Sequence, residues 1–229
     1  MAPAPDWLDR LPADRLLAEI SLWSADLLRL GDDIARLEPF TDLFHIDAAD
    51  GHFSPALLLF PDQVAAIRRA TGKPLHVHLM VADAILMAQV EQFAAAGADV
   101  ISVHAENANA AAAIDRIAEL GRVPGLVLQL ETPVDACRPF LDRIGILTLL
   151  GTGTGIKGAG LDGRAGPRLE EARLMLREAG HRILLAADGG IREHTVPVLR
   201  KAGADTIVMG SLAFGAPNLP ARMAWVHGQ

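Results

Sequence analysis

Eight short apolar runs alternate with eight longer amphipathic, alanine-rich stretches along this chain, and that count restricts the folds open to it. The apolar runs, rich in leucine and β-branched residues, fall near 17–23, 42–47, 74–79, 99–104, 124–130, 145–150, 182–187 and 205–209. The stretches between them have helical character near 25–37, 61–70, 84–96, 108–120, 133–141, 168–179, 193–202 and 216–226. Strand–helix alternation makes a parallel sheet, because each return to the sheet needs a crossover. Eight such units are the number that closes a barrel. A chain of 229 residues suits one barrel. The expected fold is therefore α/β, a single (β/α)8 TIM barrel over residues 17–229 after an N-terminal extension of residues 1–16. Within that extension, Asp6-Trp7-Leu8-Asp9-Arg10-Leu11 is expected to form a short helix closing the barrel bottom. No linker or second domain is expected.

An internal echo supports repeated βα units. Ala96-Gly97-Ala98-Asp99-Val100-Ile101 matches Ala202-Gly203-Ala204-Asp205-Thr206-Ile207. In each, the glycine is placed to stop a helix in a left-handed conformation just before a strand begins.

Composition removes several classes of function. The chain is 51% hydrophobic, enough for a large core, and its net charge is −7 with no run of Lys and Arg. That balance argues against a nucleic-acid surface. No apolar stretch approaches the length of a membrane span. The opening Met-Ala-Pro-Ala-Pro-Asp-Trp lacks the basic-then-apolar pattern of a signal peptide. Cys137 is the only cysteine, so an intrachain disulfide is excluded, and its place in a helical stretch suits a packed side chain. The expected location is cytoplasmic.

In such barrels the catalytic groups gather at the C-terminal strand ends, and polar residues fall there: Ser21, His45, Asp47, His78, His104, Gln129 and Asp188. His45 and Asp47, two apart on one strand, point the same way. With His78 and Asp188 they make a set of two imidazoles and two carboxylates, suited to one borderline divalent metal ion such as Zn, Mn, Fe or Co. Carboxylates also move protons at a carbon next to a carbonyl. A metal bound to an α-hydroxyketone would stabilise the enediolate formed there. Asp47 and Asp188, on separate parts of the ring, can flank a flat enediolate, one removing a proton and the other returning it to the opposite face. Gly189-Gly190 and Gly210-Ser211 follow the last two strands, where loops commonly cradle a phosphate.

These residues resemble the ribulose-phosphate 3-epimerase family from Ile20 to Phe214. Ser21-Leu22-Trp23-Ser24-Ala25-Asp26 is similar to the family's Ser-Ile-Leu-Ser-Ala-Asp, and His45-Ile46-Asp47-Ala48-Ala49-Asp50-Gly51-His52-Phe53 to its His-Val-Asp-Val-Met-Asp-Gly-His-Phe. Val77-His78-Leu79-Met80, His104-Ala105-Glu106, Ala187-Asp188-Gly189-Gly190 and Met209-Gly210-Ser211 follow in the family's order. The resemblance implies one divalent metal held by His45, Asp47, His78 and Asp188, with Asp47 and Asp188 as the acid–base pair. It also implies a phosphorylated sugar contacted by Ser21, with its phosphate held by Gly189, Gly190, Gly210 and Ser211; His78, Gly155 and Lys157 are expected as further substrate contacts. Related barrels commonly associate, so a homo-oligomer is expected.

The chain departs from the family at several points. Ala49 and Leu150 stand where the family usually has Met, and Ala56-Leu57-Leu58 where it has Asn-Leu-Thr. The loop after strand 6, usually Met-Ser-Val-Asn-Pro-Gly-Phe-Gly-Gly-Gln, reads Leu150-Gly151-Thr152-Gly153-Thr154-Gly155-Ile156-Lys157-Gly158-Ala159. Lys157 is expected to meet an anionic or hydroxyl group of a substrate other than ribulose 5-phosphate, set against a solvated lysine on a mobile loop. Glu19 replaces a small residue and His76 an Asp, and the two are expected to pair inside the barrel, set against separate solvated or hydrogen-bonded groups.

The leading reading is a metal-dependent isomerase that inverts C3 of a ketose phosphate, D-ribulose 5-phosphate or a related sugar phosphate. A second is a decarboxylase or aldolase of a related phosphate-binding barrel, which calls for a lysine at a strand end. None is there: Lys157 lies in a loop and Lys73 precedes strand 3. A third is a non-catalytic barrel that binds a ligand or partner, which would not need both Asp and both His.

Overall fold

The computed structural model describes Pro3 and residues 6–229. The expected extension at 1–16 therefore lies partly outside the described residues. Among the described residues eight parallel strands close a barrel in sequence order: β1 (Leu17–Ser21), β2 (Leu43–Ala49), β3 (Leu75–Met80), β4 (Val100–His104), β5 (Val123–Leu128), β6 (Ile146–Leu150), β7 (Leu184–Asp188) and β8 (Thr206–Met209). The helices are α1 (Leu30–Leu37), α2 (Pro61–Ala70), α3 (Asp83–Ala96), α4 (Ala110–Glu119), α5 (Ala165–Leu176), α6 (Val196–Lys201), α7 (Ser211–Phe214) and α8 (Leu219–His227). No helix among the described residues is long and apolar enough to cross a membrane.

Local chemistry explains where the elements differ from expectation. The stretch 133–141 is a 3-10 helix, Val134–Phe140, rather than an α-helix. Pro139 lies inside it and lacks the N–H that an α-helical ladder needs. The stretch 25–37 opens as a 3-10 turn, Leu27–Arg29, before α1 begins at Leu30. Strand β1 stops at Ser21, where the chain turns into a further 3-10 turn, Leu22–Ser24. Asp6–Arg10 form turns rather than a helix, closed by bonds from the Arg10 N–H to the Asp6 and Trp7 carbonyls.

The echo falls where two helices hand over to strands, with Gly97 at φ +101° and Gly203 at φ +106°. Asp99 accepts from the Leu75 N–H at the head of β3 and from Arg68 Nη1 at 2.7 Å. Asp205 accepts from the Leu185 N–H in β7 and from Arg173 Nη2. Each repeat thus ties a strand head to its neighbour through a charge-assisted bond.

Two cores result. Outward strand residues such as Ile20, Phe44, Val77, Ile101, Leu147 and Ile207 pack against the helices. Inside the ring, Leu17, Leu43, Val100, Ile146, Leu184 and Ala186 form an apolar floor on which Trp7 sits. Above this floor the interior becomes polar: Glu19, His45, His76 and Ser102 are fully buried there. Side chains two residues further along β1 to β4 make the next layer, with Ser21, Asp47, His78 and His104 at the C-terminal mouth.

Candidate active site

Parallel register assembles the site from residues far apart in sequence. Ser21 pairs with His45 across β1 and β2, Asp47 with His78 across β2 and β3, and Leu150 with Asp188 across β6 and β7. One ligand atom from each of His45, Asp47, His78 and Asp188 lies within 4.8 Å of the others. His45 Nε2 is 3.2 Å from Asp47 Oδ1 and 3.9 Å from Asp188 Oδ2. His78 Nδ1 is 3.5 Å from Asp47 Oδ1 and 3.8 Å from Asp188 Oδ2. Ser21 Oγ donates to Asp47 Oδ2 at 2.8 Å.

The groups fit a divalent cation. Buried His78 Nδ1 has no hydrogen-bond partner among the described residues and faces the two carboxylates. Its other nitrogen, Nε2, is 2.8 Å from His104 Nε2, and His104 Nδ1 is 3.0 Å from Glu106 Oε2. A carboxylate only accepts, so His104 Nδ1–H donates to Glu106. With His104 Nε2 as the acceptor, His78 Nε2–H donates to it, which leaves the lone pair of His78 Nδ1 aimed at the cluster. Glu106 is itself held by the Gln129 N–H at 2.9 Å and by the Thr132 hydroxyl.

The protein field treats the ionisable groups differently. Burial disfavours a charge on Asp47, but His45 and then His78 outweigh it and hold its pKa well below the usual carboxylate range. Burial pushes Asp188 up to about 6, with Asp47 adding repulsion and the two histidines opposing. Burial also works against protonation of His45, yet Asp47 and Glu19 raise its pKa well above the ordinary value. For His78, burial and the adjacent His104 lower the pKa to about 4, against the pull of Asp47. His78 is thus kept neutral, the form that ligates metal.

One pocket opens above this cluster. Ser21, Asp47, His78, Gly155, Lys157, Asp188, Gly189, Gly190, Gly210 and Ser211 all line it. His45 does not; it lies fully buried one layer below the pocket lining. Gly190, at φ +69°, cannot be replaced without movement, since a Cβ there would stand 2.5 Å from Leu161 Cα. The loop after β6 lies over the same pocket. Lys157 Nζ donates to the Trp23 carbonyl at 2.8 Å and sits 5.5 Å from the centre of the Trp23 ring. Arg192 Nη2 donates to the Gly158 carbonyl at 3.3 Å. Lys157 is thus tied to the loop after β1 while lining the pocket, and its ammonium has further donors to offer.

Several pocket residues escaped the sequence reading. Arg192 is one, although a cation two residues after Gly-Gly was a usable signal. Trp23, Met80 and Thr152 also line the pocket, and their residue types carry no chemical signature. Gln129 is at the end of β5 but outside the pocket lining, holding Glu106 through its backbone. Glu19 and His76 do meet: His76 Nδ1 and Glu19 Oε1 form a short hydrogen bond, and His45 Nδ1 is 2.7 Å from the same oxygen. Cys137 is buried, and burial raises its thiol to about 11.

Comparison with known proteins finds relatives over most of the chain. The model of the ribulose-phosphate 3 epimerase family matches residues 17–214. A ribulose-phosphate 3-epimerase from Synechocystis is 37% identical over 212 residues, covering 90% of this chain and 91% of that protein. One from Bacillus subtilis is 34% identical, covering 91% of this chain and 96% of its own length. Among solved structures, the 3-hexulose-6-phosphate synthase of Salmonella typhimurium superposes with a TM-score of 0.69 at 15% identity, over 93% of this chain and 97% of that one. The orotidine 5'-phosphate decarboxylase of Pyrococcus horikoshii gives a TM-score of 0.64 at 19% identity, over 92% and 97%. At those identities the two structures share the fold alone.

Proposed function

The chain belongs to the ribulose-phosphate 3-epimerase family and is an isomerase, and from that premise we propose that it inverts C3 of a ketose phosphate, D-ribulose 5-phosphate or a related sugar phosphate. The observation that carries this reading is the pair of carboxylates, Asp47 and Asp188, converging on one pocket floor from β2 and β7. These strands are separated by β1 and β8 in the ring, so the two groups reach a bound substrate from different sides. One carboxylate takes the C3 proton, and the other delivers a proton to the opposite face of the resulting enediolate. For the other epimer the two exchange roles. Ser21 holds Asp47 by its hydroxyl, which fixes the direction of one carboxylate oxygen.

His45, Asp47, His78 and Asp188 would hold one divalent ion, Zn, Mn, Fe or Co. When bound, such an ion supplies Lewis acidity toward the ketose oxygens and so favours the enediolate. Met80, Leu150, Ile156 and Val208 give the pocket an apolar side that excludes water from the proton transfer. Gly189, Gly190, Gly210 and Ser211, at the exits of β7 and β8, would take the phosphate through backbone N–H groups. Gly155 and Lys157, in the loop across the mouth, would cover the substrate.

The reading extends to the whole chain: residues 1–16 as an extension, 17–229 as one barrel, and a cytoplasmic enzyme with neither nucleic acid nor membrane as partner. A homo-oligomeric working form is supported by Leu27, Leu28, Leu57 and Phe60, large apolar side chains left exposed. Schiff-base chemistry has no support. The three lysines of the chain, Lys73, Lys157 and Lys201, all lie off the strands.

The test is a screen of ketose phosphates for exchange of the C3 hydrogen with solvent deuterium, run with metal analysis. A substrate should exchange and invert, one metal per chain should be found, and chelation should abolish turnover until metal is returned. Full turnover by metal-free protein refutes the metal role, and failure of every ketose phosphate to exchange refutes the reaction.

A further inference from the structure

Below the metal cluster the barrel encloses ionisable groups that the proton transfer does not use. Glu19 and His76 are fully buried. Glu19 Oε1 is shared by His45 Nδ1 and His76 Nδ1, and Oε2 lies 3.5 Å from Thr206 Oγ1. His76 Nε2 continues the chain to Ser102 Oγ at 2.5 Å. Gly125 is the register partner of Ser102, and any Cβ there would collide with the Ser102 hydroxyl. Side chains of β1 to β4 and a glycine of β5 are therefore matched to one buried row. A carboxylate in such surroundings is costly unless fully paired, and Glu19 is paired to both histidines.

His45 connects this row to the site above. Its Nε2 faces Asp47 and Asp188, and its Nδ1 faces Glu19. An imidazole directs one nitrogen to a cation when the other donates its proton to a fixed acceptor, and a carboxylate acceptor also raises the ligand's basicity. We propose that Glu19 is a positioning residue for the metal centre, holding His45 as the Nδ1–H tautomer with Nε2 turned to the cation, while His76 and Ser102 hold Glu19. This rests on the metal reading above. Glu19, His45 and His76 also lie close enough to suggest a cation site of their own, but their facing atoms are already engaged with one another.

The experiment measures Co(II) binding to the full chain by titration and by its visible spectrum, alongside thermal unfolding. Wild type should bind one Co(II). Glu19→Gln should remain folded and bind it about ten- to a hundredfold more weakly. The double variant Glu19→Ala with His76→Asp should recover most of that loss, because residue 76 is the register partner of His45 and returns a carboxylate to the same row. Unchanged affinity in Glu19→Gln overturns the inference and leaves the metal reading intact. Two cobalt ions per chain, one of them lost with Glu19, overturns it by making Glu19 a ligand. Failure of wild type to bind cobalt overturns both readings. If Glu19→Gln does not fold, ¹⁵N NMR of the zinc-loaded wild type decides: a proton on His45 Nδ1 supports the inference, and a bare Nδ1 refutes it.

Discussion

Asp188→Asn is the substitution that isolates the two-carboxylate mechanism most cleanly. Asp188 Oδ2 stands 3.9 Å from His45 Nε2 and 3.8 Å from His78 Nδ1, too far for a hydrogen bond to either. The amide is nearly the same size, so the change removes a charge, a proton carrier and one proposed metal ligand with little repacking. Asp47 is different, since it accepts from Ser21 at 2.8 Å and lies 3.2 Å from His45; Asp47→Asn also disturbs those contacts. Loss of a positioned general acid–base costs about 10²–10⁴-fold in rate. At about 1.36 kcal/mol per factor of ten, the lower limit is about 2.7 kcal/mol of barrier. Asp188→Asn should therefore lower kcat for epimerisation by at least about 10²-fold. Asp47 remains on its own side, so one epimer should still exchange its C3 hydrogen with solvent deuterium without inverting. Asp47→Asn should show the mirror pattern, with exchange confined to the other epimer. The assay follows deuterium incorporation and product configuration for both epimers, with metal content measured on each variant. Near-normal inversion by either metal-loaded variant, or equal exchange of both epimers, refutes the assignment of one carboxylate to each face.

Two further outcomes are open to measurement. Lys157→Ala should reduce kcat/KM on the true substrate by about ten- to a hundredfold, the value of one charge-assisted hydrogen bond; if ribulose 5-phosphate proves the best substrate and is unaffected, the altered loop is a neutral variation. Asp42 accepts from both Arg15 Nη atoms and from the Ala18 N–H, with His227 Nε2 at 3.5 Å. Burial opposes its charge, but Arg15, His227 and Ala18 overcome this and hold its pKa below the ordinary value. Its stabilising contribution is then complete above the unfolded pKa of about 3.9 and is lost as pH falls through the lower folded value. Asp42→Asn should cost about 2 kcal/mol near neutrality, or roughly 4–8 °C in Tm, and the gap to wild type should close as the pH is lowered below about 4. A gap that is constant across that range refutes the ion-pair explanation.

What could be read along the chain was whatever local chemistry encodes. The period of strand–helix alternation made the barrel legible, and Gly97 and Gly203 marked helix ends because left-handed backbone favours glycine. His45 and Asp47 were readable as a pair, since residues two apart in a strand share a face whatever surrounds them. Finer boundaries were less legible. Strands β2, β3 and β6 are buried along their whole length, so no change from buried to exposed positions marks their ends. The four-residue α7 is too short to show helical periodicity.

Only the closed ring decided which side chains meet. The stagger of β1 against β2 and β3 brings Glu19 to both His45 and His76. The tie from Lys157 to the Trp23 carbonyl spans 134 positions. The bare Nδ1 of His78 depends on His104 and, behind it, Glu106. Strand periodicity says which face a residue occupies but not its height or neighbours. Those follow from hydrogen-bond register around eight strands, a property of the whole barrel that no local stretch of sequence contains.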